Sequence, residues 1–331
     1  MIRIFNNYRG ETQELTQFCT SVNIGGSLSE VARKLEVNMF YKIWDKHQIN
    51  KQVGVGNIVW VTLDNKEIFR GVVIDRSIGA NEELNFTALD FAYYLTKNKI
   101  TRNFKNTTVM SATRDICKEI GVKVDSLSNS NIKINRLIAQ QTVYDAIMEL
   151  YTQVSKQTGR RFYILMTGVG LNVPDIGTFK ADKIIKPCRD VFTADGNLVN
   201  LRFKDTMGDM INRIKVYDDK NNLIDTIQNT NLIKSYGTLQ DNYVKEEDKN
   251  YKIVAKNMLH GIDTEIECEV LGNYEYLTGK EVTVQVPFIS TLANRKMYIN
   301  TDNHTWDIET GTFTTNLTLS YTKDMDLKEG D

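Results

Sequence analysis

Apolar residues alternate with a period of two along the chain as far as about residue 95, which predicts short β-strands. Residues 58–63 are apolar on both faces, as a strand in the wall of a barrel would be. Residues 64–65 supply turn chemistry, and residues 67–75 return as a second strand in which Gly71 indicates a bulge or a close backbone approach. Short strands joined by tight turns favour a small antiparallel barrel or sandwich.

The period changes to a helical one in the middle of the chain. Thr108 is placed to cap a helix that ends at Gly121. Thr142, with Asp145 three residues later, resembles a capping box, and this second helix ends at Gly159. Each helix carries one apolar stripe, formed by Val109, Ala112, Ile116 and Ile120 in the first and by Val143, Ile147, Leu150, Tyr151 and Val154 in the second.

Strand patterns return after the helices. Residues 160–173 predict a hairpin with glycines in its turn, and from about residue 197 most of the chain alternates again. There we expect two strands around Asn221, a helix over 251–260 that ends at Gly261, and strands at 264–271, 280–286, 295–300 and 311–321.

These patterns predict an α+β chain that is mostly β. The expected order is an N-terminal barrel-like β domain over 1–95, an α+β middle domain over 96–196, and a mostly β domain with one helix over 197–325. The acidic tail, 326–331, is expected to be frayed.

Composition narrows the class of protein. The 331 residues suggest two or three domains, and 41% hydrophobic with 25% charged residues is an ordinary globular balance. The formal net charge is -1, whereas a protein that grips nucleic acid normally carries a basic excess, so the expected partners are proteins. The start lacks a signal-peptide core, and no run of about 18 apolar residues predicts a transmembrane helix. The four cysteines are dispersed without a CxxC pair, which indicates reduced thiols in a cytosolic product.

Histidine spacing gives little support to a metal site. His47, His260 and His304 lie far apart, and no HExxH motif is present. His304 stands between Asp302 and Asp307, so a metal site there is one interpretation. A metal site needs three or four ligands held by further hydrogen bonds. We therefore favour a turn after residue 300, with His304 bonded to backbone.

The remaining catalytic motifs are weak or absent. The glycines at 168 and 170 lack the third glycine and the following helix of a dinucleotide site, and no GxSxG motif occurs. Glu36 and Asp45 have the nine-residue spacing that one phage-lysozyme fold uses, but Lys51 stands where that pattern needs threonine. We predict no enzyme activity and no catalytic, cofactor-binding or metal residues.

Several segments resemble the PBSX-type prophage tail hub family (XkdQ-like proteins). Residues 58–75 followed by 84–98 resemble the family's N-terminal domain, and residues 142–165 resemble its helix and hairpin. Residues 236–240 resemble its "G-lQ" segment, and residues 270–284 and 298–306 resemble its closing barrel. The positions that match the family's motifs are Phe69, Gly71, Asp90, Gly237, Gly272, Gly279, Asp302 and His304.

The resemblance implies a structural role in the baseplate of a contractile phage tail or an R-type bacteriocin. In such hubs two barrel-like tube domains per subunit flank a middle domain, and a trimer forms a pseudo-sixfold ring between the sixfold tube and the threefold spike. The implied partners are other copies of the chain, the tail tube, spike and tape-measure proteins and other baseplate proteins, with no membrane and no specific nucleic acid. Assembly is expected in the bacterial cytoplasm. Asn-rich and Lys-rich usage favours a clostridial diffocin-like particle.

Two alternatives from other classes stay open at this point. The first is a tail-tip peptidoglycan hydrolase, for which Glu36 and Asp45 are the candidate carboxylates. The second is a β-rich carbohydrate-binding module, which would expose aromatic platforms. Many of the 15 tyrosines instead fall in helix stripes or strands, where a core or interface position is favoured.

Overall fold

The computed structural model describes residues 1–42, 51–188, 195–246 and 250–328 of a mostly β chain with few helices. It divides into two compact units, 1–201 with 267–331 and 202–266. The helices are α1 (Tyr93–Lys97), α2 (Val109–Glu119), α3 (Val143–Thr158), α4 (Thr230–Tyr236) and α5 (Tyr251–Met258). No helix in the described ranges is long and apolar enough to cross a membrane.

The strands of the first half of the chain are β1 (Ile2–Tyr8), β2 (Glu11–Glu14), β3 (Cys19–Ser27), β4 (Lys34–Phe40), β5 (Ile58–Leu63), β6 (Lys66–Ile78), β7 (Glu83–Asp90), β8 (Lys99–Thr108), β9 (Lys123–Leu127) and β10 (Lys133–Thr142). Those of the second half are β11 (Leu165–Thr167), β12 (Gly170–Val173), β13 (Leu198–Thr206), β14 (Arg213–Tyr217), β15 (Leu223–Gln228), β16 (Gln240–Val244), β17 (Asp263–Leu271), β18 (Glu281–Val284), β19 (Arg295–Asp307) and β20 (Thr312–Ser320).

Strands from both ends of the chain form one twelve-stranded sheet. Its order is β13-β17-β20-β19-β3-β4-β7-β6-β5-β1-β2, with β18 also on β19. The join is the antiparallel pair β3–β19, in which Ile24 lies opposite His304 and Val22 opposite Trp306. Among the described residues no pairing links the two ends of this order, so no closed barrel is found.

The strands predicted near the N-terminus are confirmed. Residues 58–63 form β5, and both residues of the 64–65 turn have positive φ. Gly71 lies opposite Asp90, where a Cβ would come 2.2 Å from the Leu89 carbonyl oxygen. The close backbone approach predicted for Gly71 is therefore confirmed.

Both predicted middle helices form with their predicted caps. The Thr142 hydroxyl accepts a hydrogen bond from the Asp145 amide (3.1 Å) and donates to the Asp145 carboxylate (2.6 Å). Gly159 ends α3 in the left-handed conformation, as glycine does at many helix ends. The helices pack with the β8–β10 ribbon and with the β11–β12 hairpin on a core that includes Ile116, Ile147 and Phe162.

The unit 202–266 holds a three-stranded sheet in the order β15-β14-β16. The β14–β15 hairpin was predicted, and α5 packs on the sheet over Ile214, Val216 and Tyr243. α5 ends at Met258, two residues before the predicted end. α4 was not predicted, because it buries no residue and so carries no apolar stripe.

Two expectations for the C-terminal part are wrong. The turn expected after residue 300 is not there, because β19 runs without interruption through Asp302 and His304. The tail is not frayed over residues 326–328. There the Tyr144 hydroxyl donates to the Asp326 carboxylate (2.8 Å) and the Lys328 amide donates to the Thr152 hydroxyl (3.1 Å), which fixes the segment on α3.

Candidate functional site

A buried ion pair lies beside the β3–β19 join. Arg33, directly before β4, donates from Nη1 to Asp302 Oδ1 (2.9 Å) and from Nη2 to Oδ2 (2.5 Å). The Asp302 side chain is fully buried and that of Arg33 is 13% exposed. A two-pronged pair is the geometry in which a buried charge is best compensated. It joins residues 269 positions apart in sequence.

Asp302 is held by further donors as well. The Thr278 amide lies 2.6 Å from Asp302 Oδ1 and donates to it. The Thr278 hydroxyl lies 2.6 Å from the same oxygen and 3.0 Å from the Gly26 carbonyl. Burial would raise the pKa of Asp302, but the charge and hydrogen bonds of Arg33 outweigh it and hold that pKa well below its usual range. Asp302 is therefore a fixed anion at neutral pH.

His304 points to the same side of β19 as Asp302. Its Nδ1 lies 3.0 Å from the Thr315 hydroxyl, and its Nε2 lies 3.1 Å from Asp302 Oδ2. The Thr315 hydroxyl also accepts a hydrogen bond from the Asn273 amide (3.2 Å). Burial lowers the pKa of His304, so the ring is neutral at pH 7.

The expectation that His304 stands in a turn is corrected by this geometry, whereas the expected backbone hydrogen bond is present, at Tyr276. The polar side chains of β19 face inward because Arg33 and Thr315 satisfy them. The metal interpretation does not fit either, since the Asp307 carboxylate accepts from the Thr310 amide (2.9 Å) in the next turn. No metal-binding group of side chains was found in the described ranges.

Two motif glycines allow aromatic rings to close on this site. A Cβ on Gly272 would lie 2.0 Å from Phe313, whose ring stacks on Trp306 with centroids 4.3 Å apart. Gly279 has a φ of +84°, and a Cβ there would lie 2.2 Å from Tyr163. Both positions require glycine because the neighbouring rings occupy the space of a side chain.

Three further motif residues lie on the other side of Arg33. The Asp90 amide donates to the Arg33 carbonyl (3.0 Å), and the Asp90 carboxylate accepts from the Ala92 amide (2.9 Å). Gly71 pairs with Asp90, and Phe69 is buried nearby. A cavity of about 200 Å³ is lined by residues that include Arg33, Phe69 and Asp90. We call Arg33, Asp90, Thr278, Asp302, His304 and Thr315 the Arg33 cluster.

The structure thus gathers seven of the eight motif residues in or beside the Arg33 cluster. The eighth, Gly237, lies in the other unit, where it ends α4 and its carbonyl accepts from the Asn212 side chain (2.8 Å). Arg33 itself was missed. Its only signal is a charge opposite to that of a carboxylate 269 residues away, which no local pattern reveals.

Asp90 gives the site a predicted pH dependence. Burial raises its pKa to about 7. A raised carboxyl pKa stabilises the fold below about pH 4, and this contribution is lost as pH rises from there to about 7. The test compares the unfolding free energies of wild type and Asp90→Asn. We expect the wild-type value minus the variant value to fall by roughly 2–3 kcal/mol between pH 5 and pH 8. Urea unfolding at both pH values measures this difference in free energy. Because both proteins contain His304, its contribution cancels in the difference. An equal difference at both pH values would contradict it.

The opposite side of the same sheet is polar. Two rows of neighbouring residues cross six strands there, and they include Thr305, Asn23, Glu36 and Thr87. The rows are Thr314, Thr305, Asn23, Glu36, Thr87, Asp75 and Thr312, Asp307, Ser21, Asn38, Asn85, Ser77. We call these twelve residues the polar face. It consists of hydroxyl, amide and carboxylate groups, so it is a surface made for water and not for packing.

No contact among the described residues supports the carboxylate pair considered for hydrolysis, Glu36 and Asp45. Glu36 lies on the polar face with the Lys34 ammonium 3.0 Å away. Asp45 and His47 lie outside the described residues. His260 is exposed and pairs with Asp263 at 2.8 Å. The glycines at 168 and 170 form the β11–β12 turn, as predicted.

Comparisons with known proteins agree along most of the chain. A family profile described as YQBQ-like matches residues 22–320. The phage-like element PBSX protein XkdQ of Bacillus subtilis (strain 168) is 23% identical over 308 residues, 89% of this chain and 90% of that protein.

Two solved structures have the same fold over nearly their whole length. The prophage MuSo2 43 kDa tail protein from Shewanella oneidensis has a TM-score of 0.74 at 15% identity, covering 97% of this chain and 98% of that one. The tail protein from Neisseria meningitidis MC58 has a TM-score of 0.66 at 13% identity, covering 96% of each chain. At these identities the likeness concerns the fold alone.

Proposed function

Because the chain belongs to the YQBQ-like family of PBSX-type prophage tail proteins, we propose that it is the structural hub of a contractile phage-like tail and not an enzyme. The observation that carries the proposal is the single sheet made by both ends of the chain. Its buried side is held by the Arg33 cluster and its other side is the polar face. A continuous wall with one dry and one wet side is suited to the wall of a tube.

The proposed assembly is a trimeric ring. Each subunit supplies two barrel-like tube elements. One consists of strands β4 to β7, on one side of the β3–β19 join, and the other consists of strands β17 to β20, on its other side. Three copies then offer six similar elements to a sixfold tube and three identical ones to a threefold spike. The domains of this proposal are 1–95, 96–196 and 197–325, with the acidic tail after them.

The polar face is assigned to the central passage of that ring. Its ionisable members include Glu36, Asp75 and Asp307, so it is mildly acidic, and both of its rows lack large apolar side chains. Such a surface stays hydrated and offers little to which a passing chain can adhere. The motif residues around Arg33 then have a structural role, which is to hold the wall rigid.

The proposed partners are the tail tube, spike and tape-measure proteins and other baseplate proteins. The particle is a prophage tail or an R-type bacteriocin, diffocin-like in its clostridial form, and it is assembled in the bacterial cytoplasm. These partners meet the ring at its two rims and along its outside, since the passage has to remain open.

Solution mass tests the ring directly. Light scattering over a range of protein and salt concentrations is expected to find a species of about 114 kDa, three times 37.9 kDa. The same measurement with added tube or spike protein serves as the second arm. A chain that remains monomeric alone and with both partners would overturn the hub proposal.

A further inference from the structure

Helix α4 lies on the surface of the unit 202–266 and connects β15 to β16. It has seven residues and buries none of them. Leu232 and Ile233 are half-buried, and Tyr236 is 41% exposed. A helix shorter than about 12 residues is marginal in water unless other parts of the protein hold it. The position of α4 must therefore be fixed by contacts other than core packing.

A buried asparagine fixes both ends of α4. The Asn212 side chain, which is fully buried, donates from Nδ2 to the Gly237 carbonyl (2.8 Å) and accepts at Oδ1 from the Leu239 amide (2.9 Å). Its backbone amide donates to the Leu239 carbonyl (2.9 Å), and its backbone carbonyl accepts from the Asn229 amide (2.9 Å). Asn212 thus joins the residue before α4 to the loop after it. A buried polar side chain whose bonds are satisfied in this way specifies one arrangement of its neighbours.

The ends of α4 are also capped. The Asn229 Oδ1 accepts from the amides of Asn231 and Leu232, each at 3.2 Å. Gly237 has a φ of 79° and a ψ of -177°, a conformation that is essentially limited to glycine, and its amide donates to the Ile233 carbonyl (2.9 Å). Gly237 is the motif residue outside the Arg33 cluster, and the hub proposal leaves it without a role. The chain thus specifies the position of a helix that adds nothing to its core, which points to a contact with another molecule.

The surface of α4 is apolar and nearly uncharged. Leu232 and Tyr236 are four residues apart, so they share one side of the helix. A Cβ on Gly261 would lie 4.0 Å from the Leu232 side chain, and the next residue, Ile262, is 41% exposed. Lys234 is the only charged residue of α4. Apolar and aromatic side chains with few charges are typical of the centre of a protein interface.

We propose that α4 binds in an apolar groove of another tail protein, with Leu232 and Tyr236 as the buried anchors and Lys234 facing a carboxylate at the rim of the groove. Helices bind such grooves through side chains spaced by three or four residues. The charge of Lys234 and the lack of carboxylates in α4 favour an acidic rim. The inference rests on the proposed role in a tail, which supplies other tail proteins as partners.

Two other occupants fit α4 less well. Two copies of this chain do not meet through α4 in a threefold ring, because a contact between identical patches is twofold and would bring Lys234 close to its own counterpart. Membrane surfaces are bound by helices with a larger apolar face and several cations. Because α4 has seven residues and one lysine, a groove on a protein matches its size and charge better.

Photo-cross-linking identifies the molecule that covers α4. Tyr236→p-benzoylphenylalanine keeps an aromatic ring at the anchor position, and the variant chain is expressed with the other tail proteins of its particle, irradiated and digested. Mass spectrometry is expected to find a cross-linked peptide from a tail protein other than this chain, with apolar residues and a carboxylate. The same side chain in place of Lys220, in the exposed turn between β14 and β15, is the control and should give no cross-link.

Substitutions on α4 then test the anchors against the purified protein that the cross-link identifies. Leu232→Ser with Tyr236→Ser is expected to weaken binding by about tenfold or more, while the melting temperature of the chain stays near that of wild type because α4 buries no residue. Lys234→Glu is expected to weaken binding by about tenfold, and Lys234→Arg to leave it unchanged. Leu223→Ser with Val244→Ser, at the end of the sheet far from α4, is the matched control and should bind as wild type does. Isothermal titration calorimetry measures binding and circular dichroism measures melting.

The outcomes separate this inference from the ring itself. A cross-link to a second copy of this chain overturns the inference, and so does the absence of a cross-linked protein. Equal binding by wild type and the Leu232→Ser, Tyr236→Ser protein overturns it as well. Binding to phosphatidylglycerol vesicles that this double variant loses would assign α4 to a membrane surface instead. A chain that is monomeric alone and with tube or spike protein, yet cross-links at 236 to a tail protein, would overturn the ring and leave the α4 contact standing.

Discussion

Asp302→Ala is expected to lower the unfolding free energy by roughly 3–5 kcal/mol, because it leaves the Arg33 guanidinium buried without its counter-charge. Two hydrogen bonds from Arg33 and the Thr278 bond are lost together. Urea unfolding followed by circular dichroism measures the loss. Asn303→Ala is the matched control, since Asn303 is the next residue of β19 and lies on the partly exposed side, and we expect it to cost about 0.5 kcal/mol or less.

A double variant separates the charge effect from the loss of packing. Replacing both partners with apolar residues, as in Arg33→Met with Asp302→Leu, removes the stranded charge and is expected to recover a large part of the stability. An Asp302→Ala protein as stable as Asn303→Ala would contradict the role that we assign to the Arg33 cluster. A double variant less stable than Asp302→Ala would show that its shape and polar bonds matter more than its charge balance.

Gly272→Ala is expected to destabilise the protein by about 2–3 kcal/mol, because the new Cβ would lie 2.0 Å from the Phe313 ring. The ring has to move, and it is stacked on Trp306. We therefore expect both a lower melting temperature and a changed near-ultraviolet signal from the aromatic residues.

The control for this substitution is Gly54→Ala. A Cβ at Gly54 meets Asn57 at 3.4 Å, an ordinary contact, and the residue does not require a positive φ. We expect near-wild-type stability there. Combining Gly272→Ala with Phe313→Leu gives the added methyl group room and should recover part of the loss. Equal effects of the two alanines would contradict the close approach.

Local structure was predictable from local sequence. The caps at Thr108 and Thr142, the end at Gly159 and the strand at 58–63 all rest on interactions within a few residues, so the pattern along the chain contained them. α4 was missed since its exposed sequence has no periodic apolar stripe.

What depends on distant residues was not predictable. Asp302 and His304 are residue types that are common in turns. They lie on the inward side of a strand because Arg33 and Thr315 form hydrogen bonds with them there. The pairing of β3 with β19 has no signal in either segment. The motif residues were located by family resemblance, whereas Arg33, which most of them surround, has no local signature.

The pairing of β3 with β19 also has a consequence during synthesis of the chain. A ribosome makes β3 long before β19, so one edge of β3 has no partner until the chain has been made as far as β19. Unpaired strand edges promote aggregation, and such distant contacts form slowly. Chains that terminate early never complete the sheet. In the proposed ring, only chains made as far as β19 then provide a continuous wall.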